Sequence, residues 1–200
     1  MAVVAALVLY VVLPNSLIIR PRWLVPLLEG ALLVPLAIGR PYRHPHEAQR
    51  LRVLAVGLIA LINVANVVSV GLLVHRLVAG TSAKGRTLVY SAAAIWLTNV
   101  IVFGLWYWEL DRGGPGVRDT NHERHPDFQY PQMVSPEMAP AGWRPSFLDY
   151  MYVSFTNAAA FSPTDTMPLT ATSKTLMTIE SLVSLLTVVV VAARAVNILT

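Results

Sequence analysis

Apolar residues in this chain run in long unbroken blocks, without the 3.6- or 2-residue alternation of elements half buried in a soluble core. Five blocks approach or reach the roughly 20 residues that a bilayer's hydrocarbon takes as helix: 2–19, 23–39, 53–74, 88–108 and 175–199. The pattern predicts an all-α integral membrane protein with about five transmembrane helices. The first block has neither a positively charged leader nor a small-residue cleavage site, and Pro14-Asn15-Ser16 interrupts it, so it is predicted as a retained helix and not a cleaved signal. The second holds Pro26, Glu29 and Pro35, which predicts a kinked span or a helix lying in the interface. Glu29 then sits beside backbone donors freed by the prolines, with proton carriage as the alternative. The fourth ends in Trp106-Tyr107-Trp108, the aromatic belt of a helix leaving hydrocarbon.

Between 109 and 145 the chain turns to Gly, Pro and charged residues, as in Gly113-Gly114-Pro115-Gly116, and reads as a polar loop outside the bilayer. His122-Glu123, His125 and Asp127 have the chemistry to hold a divalent metal, although their spacing matches no established catalytic motif and a solvated loop explains them. Then Ser146 and Asp149 form an S-x-x-D helix start. Ser162-Pro163-Thr164-Asp165 is turn chemistry, so that helix runs only to Ala160. At about 1.5 Å per residue it spans ~21 Å, too short to cross. A short apolar helix that cannot cross must re-enter on its own side.

Composition narrows the classes. Hydrophobic residues are 55% of the 200 and charged residues 13%, half the roughly 25% usual in soluble domains. The absence of cysteine rules out disulfides and thiolate metal sites. The net charge of +4 comes from basic residues lying mostly between apolar blocks, where anionic lipid headgroups attract them, so nucleic acid is not needed as a partner. No phosphate loop, nucleophile elbow or paired-carboxylate site is recognisable, so neither an enzyme nor a bound cofactor is expected.

The string Tyr152-Val153-Ser154-Phe155-Thr156-Asn157-Ala158-Ala159-Ala160-Phe161-Ser162-Pro163-Thr164-Asp165 resembles, without a gap, the pore helix and filter of two-transmembrane potassium channels, whose filter reads T-V-G-Y-G-D. Asp165-Thr166-Met167-Pro168-Leu169-Thr170 resembles the D-x-x-P-x-T exit of that family, and Lys174 through Asn197 resembles its inner helix. The resemblance implies a pore-like module over 87–200: outer helix 88–108, polar loop 109–145, re-entrant helix 146–160, turn 161–173 and inner helix 174–199. Residues 1–86 would supply about three further spans. It also implies a homotetramer, with a dimer burying the same faces as the alternative, monovalent cations as the permeant class, and the plasma (inner) membrane as the location.

Ala160, Phe161, Ser162, Pro163, Thr164 and Asp165 take the filter positions, yet none is glycine, and Pro163 fixes its own φ. The family's ladder of backbone carbonyls is not buildable there. The expectation is a weakly selective cation channel, or a non-conducting scaffold or partner subunit that keeps the pore-loop fold. Asp165 either draws cations to the mouth or caps its own turn. Glu180 is expected to brace the re-entrant helix from behind, Arg194 to snorkel to headgroups, and Asn63, Asn66 and Asn99 to tie helices together. With 109–146 outside, nine Lys and Arg lie outside and six inside. The positive-inside rule alone prefers the inverse; the resemblance sets the orientation expected here.

Overall fold

The computed structural model describes residues 2–13, 45–79, 85–120, 124–160 and 165–199. The expected span 23–39, with Glu29, lies outside them, as does the end of the first block. The elements are α1 (Ala2–Val12), α2 (Pro45–Val78), α3 (Gly85–Leu110), α4 (Pro115–Thr120), β1 (Phe128–Gln129), α5 (Pro131–Val134), α6 (Phe147–Ala160), β2 (Met167–Pro168) and α7 (Ala171–Leu199), with 3-10 turns at Asp111–Gly113 and Pro136–Met138. Among the described residues three stretches are long and apolar enough to cross a membrane: Arg52–Arg76, Leu88–Gly113 and Ala171–Ala192. The architecture is largely helical and of the integral-membrane kind.

Three helices start earlier than the apolar pattern predicts, α3 by three residues at Gly85. Residues 46–52 contain no Pro or Gly and favour helix, so α2 absorbs part of the basic linker, with Pro45 at the first helical position where its missing N–H costs nothing. His75 and Arg76 close its last turn, where the helix dipole favours cations. α7 starts at Ala171 because Thr170 and Ser173 cap it reciprocally. The Ser173 N–H donates to Thr170 Oγ1 at 3.2 Å and the Thr170 N–H to Ser173 Oγ at 3.3 Å.

α3 is the central helix, touching α1, α2, α6 and α7. Ile95, Leu73, Leu88, Tyr10 and Val183 bury one cluster around it; Phe103, Tyr107, Phe128, Tyr150, Val153 and Met177 bury another towards its C-terminus. Outward, α7 shows Leu182, Leu186 and Val189, the apolar exterior that lipid demands. Where α6 crosses α3 the backbones come close at Gly104. A Cβ there would stand 3.4 Å from Met151 Cα and 2.5 Å from its Sδ.

α6 starts at the C-terminal end of α3 and runs back along it, and the chain is at that same end again by β2. At the start of α6 Ser146 donates both its N–H and its hydroxyl to Asp149 Oδ2, each at 2.7 Å. The carboxylate reaches back as the motif predicts, but the hydroxyl donates to it instead of accepting a helix N–H. One turn in, the Tyr150 hydroxyl donates to Asp111 at the end of α3, 2.5 Å away. After α6, β2 pairs antiparallel with β1, Phe128 opposite Pro168. Thr170 then donates to Asp127 Oδ1 at 2.6 Å, Asp127 Oδ2 accepts the Arg112 N–H at 3.0 Å, and Asp111 Oδ1 accepts the Asp127 N–H at 2.8 Å. This small ribbon is not visible in the hydrophobic pattern.

Because the chain is cysteine-free, single cysteines report topology without background. Leu148→Cys and Leu169→Cys, both exposed, are expected to react with an impermeant thiol reagent from one side of the membrane, and Ala79→Cys, just past the far end of α2, from the other; labelling of 148 and 169 from opposite sides would contradict the folded-back path. Gly104→Val is expected to force α3 and α6 apart and lower thermal stability by about 1–3 kcal/mol, with Met151→Ala in the same chain recovering part of the loss.

Candidate functional site: a buried carboxyl joining three helices

The polar side chains of α6 follow helical spacing. Tyr150, Ser154 and Asn157 lie four and three residues apart, so they share one face, and all are buried. That face meets α3 and α7. Tyr107 and Asp111, four apart on α3, oppose it, and α7 contributes Glu180, which is fully buried. The result is a ladder of polar rungs set in an aromatic and aliphatic wall.

The outer rung is Tyr150 on Asp111, described above. The central rung is the Glu180 carboxyl. Its Oε2 accepts from the Tyr107 hydroxyl at 2.5 Å and from Asn157 Nδ2 at 2.6 Å. Its Oε1 lies against the Ser154 hydroxyl, which also reaches the Val100 carbonyl of α3 at 2.7 Å. Asn157 is held on every side. Its Nδ2 also donates to the Met177 carbonyl at 2.9 Å, while its Oδ1 accepts from Ser181 at 3.2 Å. The deepest rung is Asn99, whose Nδ2 donates to the Glu180 carbonyl at 3.2 Å and to Ser184 Oγ at 3.0 Å. Glu180 thus has one hydrogen-bond partner from α3 and two from α6, and no ion pair reaches it among the described residues.

At the outer end the charges are tied to backbone. Arg118 donates to the Trp108 carbonyl at 3.2 Å, lies 4.0 Å from Asp111 Oδ2 and stacks over Trp108 at 4.2 Å. Arg52 reaches the Glu109 carbonyl at 3.4 Å. Both place cations on the C-terminal carbonyls of α3, where the helix dipole favours them. Trp108 also packs edge-on against Phe147 and Tyr150, so part of the expected aromatic belt is an internal contact. Burial, with the Asp111 charge as the next cause, pushes the Tyr130 and Tyr150 phenols well above their ordinary range. Tyr150 is therefore a hydroxyl donor to Asp111 at any physiological pH. The chain turns off α3 through Arg112, Gly113 and Gly114, all at positive φ; a Cβ on Gly114 would come within 2.9 Å of the Glu109 carbonyl.

Of the residues singled out in the sequence, Glu180 and Asn99 meet in this network. Ala160 ends α6 and is exposed; Asp165 is exposed and accepts from Thr166 Oγ1 at 3.3 Å. Phe161, Ser162, Pro163 and Thr164 between them lie outside the described residues, as do Glu29, His122 and the side chain of Arg194. His125 is exposed, whereas both Asp127 oxygens are taken by Arg112 and Thr170. Among the described residues no group of three or more His, Asp or Glu is placed to hold a metal. Sequence reasoning missed Tyr107, Asp111, Ser154 and Asn157. The signal for Ser154 and Asn157 was their spacing with Tyr150, which puts three polar side chains on one face of α6.

Glu180→Leu would strand the Tyr107 hydroxyl and the Asn157 amide in an apolar setting, at roughly 1–3 kcal/mol for each unsatisfied group. Thermal unfolding of the purified protein is expected to show a loss of about 2–5 kcal/mol; a variant as stable as the parent would mean that the carboxyl does not hold the three helices. Comparison of the chain with protein-family models, with curated proteins and with solved structures found no match, so its chemistry is argued from this geometry.

Proposed function

We propose that the chain is a multi-span protein of the plasma (inner) membrane whose 87–200 module works as an oligomeric, weakly selective cation pore. The observation that carries this reading is the path of the chain through α6: a fourteen-residue helix that leaves one end of α3 and is anchored at mid-helix by Glu180, after which the chain is back at that end by β2. Placed in a bilayer, such a path leaves the C-terminal end of α6, with its unpaired carbonyls, at membrane depth. Backbone of that kind is stable only when buried in protein or lining water. In one copy Ala159, Ala160 and Asp165 are exposed, so several copies around an axis would supply the cover and enclose the water. The resemblance suggests four; two copies burying the same faces is the alternative.

The sign of the permeant ion follows from charge. The C-terminus of α6 carries about half a negative charge, and Asp165, five residues beyond it, adds a full one. Both favour cations. Selection among cations needs closely spaced carbonyl sites, which a glycine-free turn containing Pro163 does not present in the family's way. That same absence of glycine favours a second reading, a non-conducting scaffold or partner subunit that keeps the pore-loop fold. No catalytic role is proposed.

Reconstitution of the purified oligomer in planar bilayers separates the readings. Reversal potentials are expected to show preference for cations over chloride, weakened by Asp165→Asn, with little discrimination between potassium and sodium. Strong potassium selectivity would refute the filter argument, an anion preference the charge argument, and silence from a well-folded oligomer would establish the scaffold reading.

A further inference from the structure

The oxygens around Glu180 have one proton too few if its carboxyl is an anion. Ser154 has a single hydroxyl proton, yet its Oγ lies within hydrogen-bond distance of two oxygens, the Val100 carbonyl and Glu180 Oε1. The Val100 carbonyl can only accept. The Tyr107 proton and the Asn157 amide protons are committed to Oε2 and to the Met177 carbonyl. The missing proton can come only from the carboxyl itself. We infer that Glu180 is a buried proton-binding site, held as the neutral carboxylic acid, with Oε1–H donating to Ser154 Oγ and Ser154 donating onward to Val100. Every oxygen in the chain is then satisfied.

The surroundings agree. The titratable group facing Glu180 from α3 is Tyr107, and α6 presents Ser154 and Asn157; on α7, Ser181 bonds Asn157 Oδ1 and Ser184 bonds Asn99. Asp111, one turn beyond Tyr107, is turned to Tyr150 and the Asp127 N–H, and the arginines at that end are held on Asp111 and on the carbonyls of Trp108 and Glu109. No cation stands by to neutralise an ion among the described residues, and an unpaired carboxylate in that position would cost several kcal/mol. Loss of the proton would break the Ser154 relay and loosen α6 from α3 and α7. The proton is therefore part of what positions α6, whether or not ions pass through an assembly.

Infrared difference spectroscopy of the full chain in lipid nanodiscs at neutral pH tests this. Wild type minus Glu180→Gln is expected to show the carbonyl stretch of a protonated acid, sensitive to deuterium exchange. Tyr107→Phe, which removes one donor to the acid's carbonyl oxygen, is expected to keep the band and move it to higher frequency, a change that a purely structural role would not produce. Glu180→Gln is expected to melt close to wild type, because its amide N–H takes the place of the acid O–H. Loss of carboxylate bands alone in the difference spectrum, or a Gln variant that melts as low as Glu180→Leu, would overturn the inference. Should the Gln variant not fold, that outcome also counts against it, and the wild-type and Tyr107→Phe spectra still report the acid band.

Discussion

A carboxyl group inside an apolar helix bundle is tolerated only if every one of its oxygens finds a hydrogen-bond partner, and the C-terminal module of this protein is arranged around meeting that demand at Glu180. Tyr107 comes from α3, Ser154 and Asn157 from α6, and the Glu180 backbone carbonyl is in turn held by Asn99. Apolar packing cannot do this work in a membrane, since lipid tails solvate Leu and Val as well as a neighbouring helix does. Directional hydrogen bonds fix the rotation and depth of α6 against its two neighbours. Gly104 lets the backbones approach closely enough for the bonds to form.

The outer end of the bundle applies the same logic to charge. Asp111 is fully buried and is met by a phenol, a backbone N–H and two arginines, while Asp127 ties the polar loop to the start of α7. Arg52 and Arg118 end on α3 carbonyls. These cations are engaged within the protein, which bears on the positive-inside count: charges already committed to a helix terminus and a buried carboxylate are weaker determinants of orientation than free ones facing headgroups.

Both readings of function use this scaffold in the same way. A pore needs its short helix and the turn after it held without reliance on lipid, and a scaffold subunit needs the same rigidity to present a constant face to partners. What distinguishes them is the chemistry of the glycine-free turn and the assembly around it. The clasp at Asp127 and the node at Glu180 fix the two described flanks of that segment, α6 before it and the start of α7 after it.

Much of this was legible in the residues. The unbroken apolar blocks at 53–74, 88–108 and 175–199 announce spans because hydrocarbon thickness sets a length that composition alone reveals. The fourteen residues of α6 announce their own failure to cross. Ser146 and Asp149 mark the helix start because a cap is a contact three residues long. What the linear pattern did not contain is which polar groups meet. Tyr107 and Glu180 are 73 residues apart, and Tyr150 and Asp111 are 39. Tyr107 and Trp108 read alike as an aromatic belt, yet the fold sends one hydroxyl to a buried acid and packs the other ring under Arg118. Helix rotation decides such partnerships, and rotation is set by close approach at Gly104 and by hydrogen-bond geometry, neither of which leaves a period in the sequence.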